Sequence, residues 1–84
     1  MIRPKVVKVE PVEDYKLILS FNNGERKIFD VRPYLNLPLF MELKNITIFN
    51  TVRVEGLSIA WKNGQDLCPD DLYENSISMT PVAG

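Results

Sequence analysis

Apolar and polar residues alternate in several short stretches, punctuated by glycine and proline. Lys5 to Glu10 is rich in β-branched valine, with Val7 and Val9 on one face of a strand that Pro11 ends. Tyr15, Leu17, Leu19 and Phe21 recur at every second position, the pattern of a half-buried strand. Asn22-Asn23-Gly24 follows, and Asn-Gly supplies the two positive-φ positions of a type I′ turn. The chain returns through Glu25 to Asp30, with Ile28 between Lys27 and Phe29. Residues 15–30 are therefore expected to form a hairpin.

The middle of the chain changes character. Val31 to Leu35 reads as a helical turn with Pro33 at its first helical position. Leu37 to Leu43 is dense in apolar groups but broken by Pro38, as expected of a loop leading into one short helix that plugs the open face of the sheet. Ile46 to Phe49 is β-branched yet too short to decide between strand and helix. Thr51 to Glu55 predicts a strand with Val52 and Val54 aligned, and Gly56 breaks it. Leu57 to Trp61 predicts the next, with Leu57, Ile59 and Trp61 on one face. Asn63-Gly64 is a second type I′ signal, and Gln65 to Leu67 a short returning edge. A helix is expected from Cys68 to Glu74. Cys68 stands at the N-cap, Pro69 at the first position, and Asp70 and Asp71 in the first turn, where negative charge suits the helix dipole. Leu67 and Leu72 are spaced as a hydrophobic staple. The pattern predicts one α+β domain over residues 3–76: a small antiparallel sheet built from hairpins, with two or three short helices. A flexible tail over 77–84 completes the expectation.

Composition narrows the function more than the fold. The chain has 84 residues, which sets a single domain with a modest core. No apolar run approaches the roughly 20 residues that span a bilayer, and the N-terminus has no signal-peptide core, so a cytoplasmic location without membrane contact is expected. One cysteine excludes an internal disulfide. Absence of histidine removes Cys-His and Ser-His-Asp pairs and the usual zinc ligands. The formal net charge of −1 is uneven: residues 1–62 carry +3 and residues 63–84 carry −4. Such a split suits a solvated acidic end, or a face complementary to another chain.

The strings Val9-Glu10-Pro11, Asp14-Tyr15-Lys16-Leu17, Phe21-Asn22-Asn23-Gly24-Glu25 and Phe29-Asp30-Val31-Arg32-Pro33 belong together. With Phe40 and Leu43, Phe49 and Val52, Ile59 to Leu67 and Pro69 to Glu74, they resemble the bacterial "domain of unknown function 2442" family. The resemblance covers about residues 3 to 76, and its most specific part is Trp61-Lys62-Asn63-Gly64-Gln65-Asp66-Leu67. It implies an α+β fold with a small antiparallel sheet. It brings no catalytic residue. It implies relatives that precede a helix-turn-helix domain, and others encoded beside a second small protein in arrangements that look like toxin–antitoxin pairs. An appended DNA-binding unit is not expected in this chain.

Each chemical candidate has a plainer alternative. Cys68 at a helix N-terminus is the one supported nucleophile, but Asp70 and Asp71 oppose its ionisation and a structural cap or packed thiol explains it. Asp66, Asp70 and Asp71, with Glu74, are oxygen ligands of the kind hard cations take, yet their spacing matches no calcium loop and first-turn helix acids explain two of them. Asp30 and the Glu13-Asp14 pair suit capping and turn roles. Trp61 is either a core side chain or an interface anchor. The basic residues form no run; Arg3, Lys5 and Lys8 come closest to a patch, and direct nucleic-acid binding is not expected. No cofactor, metal or catalytic residue is expected. These readings converge on a non-enzymatic protein-interaction module, antitoxin-like in one form, with Trp61, Asp66, Asp70 and Asp71 as candidate interaction residues. Its partner would be a second copy or a small distinct protein. The alternative is a ligand-sensing or DNA-regulatory accessory domain that works with a helix-turn-helix partner.

Overall fold

Leu17, Leu19 and Phe21 alternating with Lys16, Ile18 and Ser20 set the architecture. In the computed structural model, which describes residues 4–79, this stretch is strand β2 (Lys16–Phe21), buried at every second residue. It lies between antiparallel partners β1 (Val6–Val12) and β3 (Arg26–Asp30). A short strand β6 (Ile77–Ser78) pairs with the far side of β3, giving a four-stranded sheet of order β1-β2-β3-β6. Strands β4 (Arg53–Glu55) and β5 (Ser58–Ala60) form a second, two-stranded sheet, extended by a bridge between Ala60 and Asp66. Two α-helices, α1 (Ile46–Phe49) and α2 (Pro69–Asn75), and three 3₁₀ segments complete an α+β fold. The 3₁₀ segments are Glu13–Tyr15, Arg32–Tyr34 and Pro38–Lys44.

The core occupies one face of the larger sheet. Leu17, Leu19 and Phe29 point into it and meet Leu43, Phe49 and Trp61 from the covering segments, all almost fully buried. Burying a side chain of this size contributes roughly 1.5–3 kcal/mol. Trp61 also meets its polar requirement, donating its indole N–H to the Phe49 carbonyl at 3.0 Å. The Pro38–Lys44 segment closes this face with Phe40 and Leu43, as expected of the apolar stretch around Pro38. Ile46–Phe49 resolves as one helical turn. Asn45 caps it by accepting from Thr47 N–H, and Phe49 delivers its ring to the core.

Both Asn-Gly turns depart from the type I′ expectation in the same way. Gly24 N–H donates to Phe21 O at 3.0 Å, and Phe21 N–H to Glu25 O at 2.9 Å. Gly64 and Trp61 repeat the pattern, with Gly64 N–H to Trp61 O at 2.9 Å and Trp61 N–H to Gln65 O at 2.8 Å. Positive φ falls on Gly24 and Gly64 alone, at 91° each, and not on Asn23 or Asn63. These are three-residue loops: a type I turn followed by a left-handed glycine. The asparagines serve differently, their side-chain oxygens accepting from Glu25 N–H and Gln65 N–H.

Other expectations need correction. Val7 is exposed, because a register shift between Val6 and Lys8 lets Val6 take the buried position. Pro11 does not end β1, which runs to Val12; as an edge strand it tolerates a residue without an N–H. Tyr15 is not in the strand. With Asp14 it adopts left-handed φ values of 57° and 61°. Its hydroxyl donates to the Lys44 carbonyl, its carbonyl accepts from Val31 N–H at 2.9 Å, and its ring stands edge-on to Phe49 at 5.2 Å. These contacts hold a conformation that costs of the order of 1–3 kcal/mol per residue. Leu57 is 63% exposed at the tip of the β4–β5 hairpin, while Ile59 and Trp61 are buried. Strand β5 is not an open edge, since β4 and the Asp66 bridge flank it. Ile77 and Ser78, placed in the expected tail, form β6; residues 80–84 of that stretch lie outside the described residues.

Candidate functional site

The candidate interaction residues do not assemble. Trp61 is wholly buried and takes the core role, so it cannot anchor a partner. Asp66, Asp70 and Asp71 are exposed, and among the described residues no group of three or more Cys, Asp or Glu side chains is placed to hold a metal ion. Cys68 occupies the N-cap of α2, but its side chain makes no capping hydrogen bond and is exposed rather than packed. Leu67 and Leu72 both enter the core, as a staple requires.

Helix α2 is instead a strut that places β6. Tyr73 packs edge-on against Phe21 at 5.2 Å and donates its hydroxyl to Glu25 at 2.7 Å. Lys27 lies 3.7 Å over the Tyr73 ring and donates to the Tyr73 carbonyl at 3.0 Å. The Asn23 amide, then the Tyr73 hydroxyl, hold the Glu25 carboxyl below its ordinary pKa. The chain therefore leaves α2 beside β3, and Ile77 and Ser78 pair with Ile28 and Lys27.

This pairing completes a row on the sheet face opposite the core. Glu10 pairs with Ile18, Ile18 with Ile28, and Ile28 with Ile77. Directly paired residues share a face, so three isoleucines stand side by side across β2, β3 and β6. None belongs to the core cluster; Ile18 and Ile28 are half-buried and Ile77 is 70% exposed. Met79, 40% exposed, stands beside the row, its N–H donating to the Arg26 carbonyl at 2.9 Å.

Charged groups rim the row at both ends of the strands. On one side Lys16 pairs with Asp30, and Arg32 grips the Asp30 carboxylate at 2.7 Å. Arg32 holds that carboxyl below its ordinary pKa. On the other side stand Arg26 and Lys8, and Lys8 bonds Glu10 at 2.9 Å and likewise lowers its pKa. These basic residues are far apart in sequence, and only strand pairing gathers them. The sequence signal that could have found this face is the second alternation phase: Ile18 and Ile28 occupy the positions where a solvated strand face would be polar.

Shallow clefts lie among the described residues, one of them reaching the rim at Asp30. One of about 350 Å³ is lined by Phe29, Asp30, Pro33, Tyr34, Leu37 and Asn75. Burial, and secondarily the charge of Asp71, raises the Tyr34 pKa. Another, of about 330 Å³, is lined by Thr47, Ile48, Thr51, Lys62 and Asn63. Among the described residues no helix is long and apolar enough to cross a membrane.

Fold and surface together define a small α+β domain whose larger sheet is packed on one face and carries an apolar row on the other. The family described as "Protein of unknown function (DUF2442)" matches over residues 6–78, and the chain belongs to it. No curated protein and no solved structure matches the chain.

Proposed function

We propose that this domain is a non-enzymatic protein-interaction module that docks another chain on the open face of its four-stranded sheet, and that it does so in the bacterial cytoplasm. The observation that carries the reading is the row Ile18, Ile28 and Ile77, three aliphatic side chains side by side outside the core. An apolar strip with a charged rim is the usual anatomy of a docking surface. An antitoxin-like member of a two-protein pair is one form such a module takes. The composition is in keeping with this reading: the chain has no histidine to act as a base beside its one thiol.

Photo-crosslinking tests this directly. A photoreactive residue in place of Ile28 should join the full chain to another polypeptide in the organism of origin. The same residue in place of Leu57, also aliphatic and more exposed but at the tip of the other hairpin, should not. No adduct at position 28, or equal adducts at both positions, sinks the reading.

A further inference from the structure

We infer that the occupant of the open sheet face is an acidic amphipathic helix of a distinct partner protein, an inference that rests on the interaction reading above. Charge is the first argument. Around the isoleucine row stand four cations, Lys8, Lys16, Arg26 and Arg32, against the anions Glu10 and Asp30, with Asp14 close enough at the Lys16 end to act on Arg32. The chain as a whole carries −1. This face therefore reverses the sign of the molecule. Glu10 and Asp30 are already held by Lys8 and Arg32, at 2.9 and 2.7 Å. Lys16 and Arg26 act on Asp30 and Glu10 through space without closing an ion pair among the described residues, and they flank the row on opposite sides. A partner with acidic side chains on both borders of an aliphatic stripe gives each of these two cations a direct ion pair.

Spacing is the second argument. Neighbouring strands stand about 4.8 Å apart, and a helix rises about 5.4 Å per turn. Aliphatic residues one turn apart thus meet Ile18, Ile28 and Ile77 in succession. The flanking rows lie about 7 Å to either side, two residues along the strands, within reach of Glu or Asp on the helix shoulders. A second copy of this chain fits worse. Two such faces brought together oppose like charge, and the acidic helix α2 has already spent Leu72 in its own core. Nucleic acid fits worse as well, because the strip between the cations is aliphatic and offers bases no aromatic platform.

The test uses two synthetic amphipathic peptides with leucine at one-turn spacing, one with Glu on both shoulders and one with Lys. Each is titrated into the full chain while the backbone and methyl resonances of the sheet are followed. The Glu peptide is expected to shift Ile18, Ile28 and Ile77 and to bind at least about tenfold tighter than the Lys peptide, the sum of a few exposed ion pairs. Added salt should shrink that preference. A Lys16→Glu, Arg26→Glu double variant, its fold checked by circular dichroism, should invert the order of the two peptides. Equal affinity for both peptides, or a preference that survives charge reversal, overturns the acidic partner while leaving the crosslinking result standing. Binding by neither peptide overturns it too. So does sedimentation showing a dimer that Ile28→Asp dissolves, or a single-stranded oligonucleotide that displaces the Glu peptide from the same resonances.

Discussion

The two faces of strand β2 carry almost the same side chains and lead different lives. Leu17 and Leu19 point one way and are fully buried; Ile18, between them, points the other way and is half-buried outside the core. The same holds one strand over, where Phe29 is core and Ile28 is not. Aliphatic character alone therefore does not make a residue structural. What separates the faces is cover: the Pro38–Lys44 segment, α1, the smaller sheet and α2 contribute their buried side chains to one core on one side of the sheet. On the covered face an aliphatic side chain contributes to folding. On the open face it stays outside the core.

The sharpest way to break this comparison is to truncate one residue from each face. Leu19→Ala should cost about 2–5 kcal/mol of unfolding free energy in a denaturant titration, since the buried site cannot collapse fully around the smaller side chain. Next in size come the glycines that hold strand register, because a slip of one residue would exchange the faces. Gly24→Val and Gly64→Val should each cost about 1–2 kcal/mol. An added Cβ meets nothing within 4 Å at either position, so the cost is conformational, and the two turns should respond alike. An unchanged thermal midpoint would contradict the left-handed assignment.

Ile28→Thr keeps the β-branched shape but removes apolar surface from the open face. It should change stability by no more than about 1 kcal/mol, the scale of cross-strand pairs. A loss as large as that of Leu19→Ala would make the row part of the core and end the distinction. The smallest effect is electrostatic. Glu10 and Asp30 have pKa values lowered by Lys8 and Arg32, so their charged forms favour the folded state above the ordinary values of 4.5 and 3.8. That contribution disappears as pH falls through the lowered folded values. Glu10→Gln with Asp30→Asn should flatten the acid limb of a stability-against-pH curve and leave neutral stability nearly unchanged. Both groups are solvent-accessible, so the change should be slight and should fade in salt.

Local pattern by itself determined the elements that depend on neighbours in the chain. The alternation of Leu17, Leu19 and Phe21 specifies β2 and its buried face, the two Asn-Gly pairs specify reversals, and Pro69 with two acids specifies the start of α2. Turn type was not legible, because a three-residue loop and a two-residue I′ loop both use Asn-Gly and differ in which backbone groups close the hairpin. The left-handed Tyr15 was not legible either: its strain is offset by Lys44, Val31 and Phe49, all at least 16 residues away. Nor could sequence show that Trp61 would find Phe49 for its indole N–H, or that among the described residues the acids at 66, 70 and 71 would form no group placed to hold a metal ion. Beyond the hint of Ile18 and Ile28 in the second alternation phase, the open face belongs to the tertiary structure. Ile18, Ile28 and Ile77 become one row, and Lys8, Lys16, Arg26 and Arg32 its border, only when strands distant in sequence pair in register. A surface is a property of which backbones hydrogen-bond to each other, and that choice is made by burial of the opposite face.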